Sequence, residues 1–424
     1  MTTKQPIPWW KEPTRAQWAA FIAAWSGWVL DAFDFTIFLM VQQSIAKEMG
    51  VGLVALAGSI TLTLLVRLAG GFVAGWMADR WGRKLPLMLS LVWFATFDAA
   101  IFFAPTFMWI VVLRTIFGFG MGAEWTAGTA LAMESWPARS RKIASGLLQA
   151  GWPIGYLLAA TVSLLEPTIG WRAMFLIAAV PALLVIPIRF MVPDEMSKPL
   201  KNAAPPRAAD LSAPGVRKMI VLGSLVMGFG FLVYYGLTAS YMGLALKELH
   251  IAPATAKGYV MLFNVGMLIG VIGAGWFANR FGVIAALVTP ALLMVPALPL
   301  YVGVAPALLP LGAFLGGMLG VGYSGVTPVL TTSLFATHVR ARCIAIVYHV
   351  GALIGAIAPT LIASLAEDTP LKLSSAIAIV VGTALILMST AVLVLRRYLT
   401  QPAGEAQTPS PSDRGLARLD VQAA

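Results

Sequence analysis

The chain has 424 residues, 59% of them hydrophobic and 11% charged, with a mean hydropathy of +0.84. A soluble domain carries roughly 25% charged residues, so a fold whose whole surface faces water is excluded. The net charge of +11 raises nucleic acid as a partner, but the distribution of that charge, taken up below, excludes it.

Apolar runs of about 20 residues, the length that crosses a hydrocarbon core, fall at 18–41, 54–78, 85–105, 107–131, 143–165 and 171–191, then at 219–246, 255–278, 283–303, 306–334, 343–366 and 371–395. They predict an all-α membrane protein of twelve transmembrane helices in two six-helix bundles. The expected organisation is a cytoplasmic N-terminal segment (1–17), a first bundle (18–191), a cytoplasmic linker (192–218), a second bundle (219–396) and a disordered cytoplasmic tail (397–424). The first apolar run is too long for a signal-peptide core, contains Asp31 and Asp34 and has no small-residue cleavage pattern, so it reads as a mature helix. The linker is broken by Pro193, Pro199, Pro205, Pro206 and Pro214, and the tail is too poor in apolar residues to offset its ordering entropy.

The two bundles are copies of one unit. Gly75-Trp76-Met77-Ala78-Asp79-Arg80-Trp81-Gly82-Arg83 returns as Gly275-Trp276-Phe277-Ala278-Asn279-Arg280-Phe281-Gly282-Val283. Gly151 and Gly155 return as Gly351 and Gly355, Gln149 as His349, and Arg139 and Arg141, one position out of step, as Arg340 and Arg342. Internal repeats are how many transporters place a substrate site between two halves that rock. With an even helix count both termini share one side, and most of the 29 Lys and Arg fall there. Positive charge resists translocation, so that side is expected to be cytoplasmic, facing anionic lipid headgroups rather than nucleic acid.

Asp31 and Asp34 lie on one face of helix one, Arg67 lies in helix two, Asp98 in helix three, and Arg114 and Glu124 in helix four. Each arginine would cost roughly 2.5–3.5 kcal/mol at the bilayer centre. Each is therefore expected to face a watery interior, where it can bind an anion, or to form a structural ion pair with a neighbouring acid. Gly118, Gly120 and Gly122 of helix four have the spacing for close helix packing. The helices of the second bundle embed no acid, and His349 is their one readily titrating group. Tyr234, Tyr235, Tyr241, Asn264, Tyr323, Ser324 and Thr327 either line a cavity or bond between helices. The single cysteine, Cys343, allows no intramolecular disulfide and offers no thiolate cluster. No nucleophile and base set, metal cluster or phosphate loop is legible, so an enzyme, a metal and a cofactor are all unexpected.

The segment Gly75 to Lys84 resembles the loop signature of the major facilitator superfamily. Trp25 to Phe35, Arg67-Leu68-Ala69-Gly70-Gly71, Gly120 to Glu124 and Glu134-Ser135-Trp136-Pro137 with Lys142 to Gly146 resemble the sialate:proton symporter family, and the Asp-x-x-Asp of helix one is similar to aromatic acid:proton symporters. Residues 192–218 are too short and polar for the extra central helices of bacterial sialic acid permeases, which leaves smaller carboxylates open. The resemblance implies proton-coupled uptake of a small organic anion across the inner membrane by a monomer. In that reading Arg67, Arg114, Tyr234, Tyr235, Asn264 and Tyr323 serve the substrate, and Asp31, Asp34, Asp98, Glu124 and His349 serve the proton. A cytoplasmic interlock draws on Gly75, Asp79, Arg80, Gly82, Arg83, Glu134, Arg139, Arg141 and Arg280. The alternatives are an efflux antiporter, against which helix five reads Gln149-Ala150-Gly151-Trp152-Pro153-Ile154-Gly155 without the antiporter Gly-Pro pattern, and a non-transporting nutrient receptor, against which no folded domain is attached.

Overall fold

The computed structural model describes residues 7–190, 192–193 and 208–399, and every described element is helical. The expected tail beyond 399 and linker residues 194–207 lie outside the described residues. The first bundle comprises α1 (Arg15–Met49), α2 (Leu53–Trp81), α3 (Lys84–Ile101), α4 (Phe107–Ser135), α5 (Arg141–Gln149), α6 (Gly151–Val162) and α7 (Glu166–Phe190). The second comprises α8 (Pro214–Thr238), α9 (Pro253–Phe281), α10 (Val283–Tyr301), α11 (Leu309–Met318), α12 (Thr327–Ser333), α13 (Arg340–Gly355), α14 (Ala358–Asp368) and α15 (Leu373–Leu399).

Among the described residues, eleven continuous segments are long and apolar enough to span a membrane. One of them, Arg141–Val180, runs for 40 residues. It turns at Gly170 (φ 78°) and so contains both the fifth and the sixth expected spans. The helix ends have local causes. Thr14 starts α1 through a capping box with Gln17, and Gly50 (φ 65°) ends it in the left-handed conformation that glycine enters without strain. Gly82 (φ 98°) and Gly282 (φ 91°) make the same turn after the second helix of each bundle, the geometry of the duplicated nine-residue segment. Helix α8 begins at Pro214, five residues before the expected 219, because proline is well suited to the first helical position.

Small residues set the packing. A Cβ at Gly118 or Gly122 would overlap the Thr63 and Arg67 carbonyls of α2, so α2 and α4 touch backbone to backbone. Gly151 and Gly155 meet Trp28 and Val29 of α1, and Gly351 and Gly355 meet Met227 and Phe231 of α8, which repeats the contact in the second bundle. Gly122→Ala is expected to destabilise the protein by about 1–3 kcal/mol through overpacking. A thermal midpoint in detergent equal to that of the unsubstituted protein would refute so tight a contact.

The bundles meet along two seams, α2 with α13 and α5 with α9. In the first, a Cβ at Gly75 would lie 3.0 Å from the Ala341 carbonyl oxygen. In the second, Gly146 faces Gly275, and Ser145 Oγ donates to the Gly325 carbonyl (2.8 Å) while accepting from Val329 N–H (3.2 Å).

Candidate functional site

Two adjoining cavities lie between the bundles and share Tyr234 and Tyr235. The inner one, about 60 Å³, is walled by Trp28, Arg67, Trp152, Phe231, Tyr323 and Tyr348 among others. The outer one, about 410 Å³, includes Phe35, Tyr156, Asn264 and Tyr301. Among the described residues Arg67 is the only charged one on either wall. Both bundles supply aromatic rings: Trp28 meets Trp152 at 4.9 Å and Trp125 at 4.8 Å, Tyr348 meets Phe231 at 5.1 Å, and Trp152 Nε1 donates to Tyr234 Oη at 3.0 Å. The two tryptophan contacts are tilted, at 37° and 49°, and the Tyr348–Phe231 contact is edge-on at 87°, within the range that aromatic pairs prefer.

Arg67 is held by α2, whose close contact with α4 fixes its backbone. Its Nη2 lies 3.0 Å from Asp31 Oδ2, and its guanidinium sits 5.4 Å from the Tyr348 ring centroid. Arg67 Nε and Asp31 Oδ1 have no hydrogen-bond partner. Both atoms are buried, so the pair keeps one donor and one acceptor unspent.

Arg114 is placed differently. It is 1% exposed, its Nη1 is 3.4 Å from Asp98 Oδ1, and its guanidinium lies between Phe38 (4.6 Å) and Phe117 (4.4 Å). It lines neither cavity, so of the two expectations for Arg114 the structural ion pair is the one that the geometry contains. Asp34 is buried within electrostatic range of Asp98, Arg114 and Asp31; its Oδ1 has no hydrogen-bond partner, and among the described residues it forms no ion pair. Glu124 accepts from Ser90 Oγ at 2.7 Å. His349 lines neither cavity; its ring presses on Gly71, it is hydrogen-bonded to the Gly122 backbone, and Nε2 has no partner. Tyr323 lines the inner cavity, while Asn264 lines the outer one and donates back to Val260 of its own helix (2.9 Å).

At the end of the molecule remote from the outer cavity the seam is shut by charge. Asp79 accepts from the N–H groups of Ala341 and Arg342 and from Arg342 Nε, each at 3.2 Å, and from Arg83 at 3.1 Å. Glu134 joins Arg83 (3.2 Å) to Arg340 (2.8 Å), and Arg83 also reaches the Thr337 carbonyl (3.2 Å). Asp79, Arg83 and Glu134 of the first bundle are thus bound to the second. Arg141 donates to the Trp136 carbonyl and Arg340 to the Phe335 carbonyl, so the structural repeat aligns Arg141 with Arg340, where the sequence alignment paired Arg141 with Arg342. Arg139 ties down the N-terminal segment through the Ile7 carbonyl and Glu12. Arg80 and Arg280 are exposed, and Arg280 stacks on Phe281 instead of entering the network.

Sequence reasoning left Arg340 and Arg342 out of the interlock, although their match to Arg139 and Arg141 in the repeat was a usable signal. Trp28, Trp152 and Tyr348 were missed because an aromatic residue in a membrane helix reads equally as lipid-facing. Asp79→Asn is expected to loosen the closed end, since removing one partner of a buried charge network costs about 3–5 kcal/mol. Cys343, buried beside Arg342, is a built-in reporter. Its maleimide labelling is expected to rise several-fold in that variant; unchanged labelling would show that the seam holds without the Asp79 charge.

Two pseudo-symmetric helical bundles around one chamber, shut at one end, define a membrane carrier. The sequence profile of the major facilitator superfamily matches residues 24–246, and the chain belongs to that superfamily. It is similar to the probable 4-methylmuconolactone transporter of Cupriavidus pinatubonensis (31% identity over 82% of this chain and 83% of that one). It is also similar to the cis,cis-muconate transport protein of Acinetobacter baylyi (28%, 82% and 87%) and to the sialic acid transporter NanX of Escherichia coli (26%, 90% and 95%). Among solved structures the proton:xylose symporter XylE shares the fold, with a TM-score of 0.73 at 17% identity over 90% of this chain and 95% of that one. The chain is a multi-pass membrane transporter and not an enzyme.

Proposed function

We propose that the chain carries a small organic monocarboxylate into the cell together with a proton, by alternating access of the central chamber. The observation that carries this reading is Arg67 on the chamber wall paired with Asp31 buried behind it, with unspent hydrogen-bonding capacity on both partners. A proton on Asp31 releases the guanidinium, which then takes the substrate carboxylate. Loss of that proton on the other side restores the pair and expels the anion. Asp34, three residues along the same face, receives the proton from the outer cavity, whose wall includes the adjacent Phe35, and passes it to Asp31. The charge-rich, interlocked end is the cytoplasmic one, which makes the described conformation outward-facing.

One cation on the wall matches one carboxylate, and the rings of Trp28, Trp152, Phe231 and Tyr348 match a planar conjugated or aromatic body better than a polyhydroxylated one. The relative named for 4-methylmuconolactone, a substrate with one carboxylate, supports an organic acid of that size.

One proton with one monoanion moves no net charge, so only the pH gradient drives accumulation, at about 1.4 kcal/mol or tenfold per unit. In proteoliposomes, uptake of labelled benzoate-type and muconolactone-type monocarboxylates is expected to follow an inward proton gradient, to collapse with a protonophore and to ignore an imposed potassium diffusion potential. Movement only against outward protons would establish efflux, and binding without flux would establish a receptor.

A further inference from the structure

Away from the chamber, a groove of about 460 Å³ opens where the start of α8 meets the end of α15. Arg217 and Lys218 lie at its polar end, Val221, Leu222 and Val394 form its apolar length, and Tyr398 lies across it. None of the lining residues is acidic. Lys218 Nζ sits 3.7 Å from the centroid of the Tyr398 ring, so the ammonium is positioned by a ring face and not by a carboxylate. Val221 is 58% exposed, and α8 begins at Pro214 with no side-chain cap on the free N–H groups of its first turn.

A groove that is apolar along a membrane helix and cationic at the helix end has the profile of a phospholipid. An acyl chain covers the valines and leucine, and a phosphate accepts from both cations and from the uncapped turn. We infer that this groove binds one anionic phospholipid, with its phosphate between Arg217 and Lys218 and one acyl chain along Val221, Leu222 and Val394. The site lies on the end that carries the interlock, where the charge distribution places the cytoplasmic leaflet.

The test is lipid retention in native mass spectrometry of the full chain in detergent, titrated with dioleoyl phosphatidylglycerol, dioleoyl phosphatidylcholine or inorganic phosphate. The protein is expected to retain a phosphatidylglycerol that the double variant Arg217→Gln, Lys218→Gln binds about thirtyfold more weakly, the loss of two surface cations, with the lipid-free thermal midpoint unchanged because both side chains are exposed. Tyr398→Leu, which removes the ring beneath Lys218 and keeps an apolar wall, is expected to weaken retention by a smaller factor and serves if the double variant fails to fold. Equal phosphatidylglycerol binding by variants and parent, equal binding of phosphatidylcholine, or equal thermal protection by inorganic phosphate alone would each overturn the inference.

Discussion

Arg67→Ala is expected to abolish both proton-driven accumulation and substrate exchange, leaving counts at the level of empty vesicles. Two losses combine. The substrate carboxylate loses its only charged partner on the chamber wall, and charge-assisted hydrogen bonds contribute about 1.5–3 kcal/mol each, so two of them account for more than a hundredfold in affinity. Asp31 also loses its ion-pair partner inside the bundle, which costs about 3–5 kcal/mol if the carboxylate stays charged. It is then expected to keep its proton and drop out of the cycle. Arg67→Lys separates the two effects. A lysine can still face Asp31 but cannot offer a planar fork to a second carboxylate, so exchange is expected to survive with a raised KM. Fluorescence-detected size exclusion and matched expression control for misfolding. Accumulation by Arg67→Ala at the parental rate would remove Arg67 from the substrate site and, with it, the proposed coupling.

The architecture was legible because hydrocarbon imposes a length and a composition on anything that crosses it, and because the repeat is written in glycines. Gly82 and Gly282 make equivalent turns, and Gly151, Gly155, Gly351 and Gly355 make equivalent close contacts. Backbone approach tolerates few other residues there, so fold and sequence signal coincide. The site was legible only as an inventory. Arg67 and Arg114 are chemically alike in sequence, each an arginine in an apolar helix of the first bundle. What separates them is the direction of each side chain, toward Tyr348 and the chamber for Arg67 and between Phe38 and Phe117 for Arg114. That difference arises from helix rotation set by contacts such as Gly122 on the Arg67 backbone, a long-range property. His349 shows the same limit: its match to Gln149 marked a polar position, but its seat on Gly71 depends on how the bundles close.

The interlock and the chamber are ends of one seam. Helix α2 carries Asp79 at the shut end and Arg67 at the chamber, with Gly71 and Gly75 between them against His349 and Arg342 of α13. A rigid helix shared by both sites is a physical route by which rearrangement at Arg67 reaches Asp79. In the proposed cycle, release of Asp31 from Arg67 and release of Asp79 from α13 both involve α2, the coupling between the two ends that alternating access requires.

Asp34→Asn tests the proton half of that cycle. Asp34 is buried beside the Asp98–Arg114 pair and Asp31; its Oδ1 has no hydrogen-bond partner, and among the described residues it forms no ion pair. An unpaired carboxylate is costly to keep ionised in such a place, so its neutral form is the one the bundle accommodates at least cost. Asparagine reproduces the shape and neutrality of that form and can neither take up nor release a proton. The variant is therefore expected to fold, to bind substrate and to exchange it across the membrane, since exchange needs no net proton movement, while accumulation under an inward pH gradient falls to background. The paired measurement, counterflow against gradient-driven uptake in the same vesicles, distinguishes this from simple damage, which lowers both. Gradient-driven uptake at the parental level would place proton entry elsewhere, with Glu124 and His349 the next groups to substitute. Loss of exchange together with uptake would mean that Asp34 holds the bundle together and leave Asp31 to load its proton directly from the chamber.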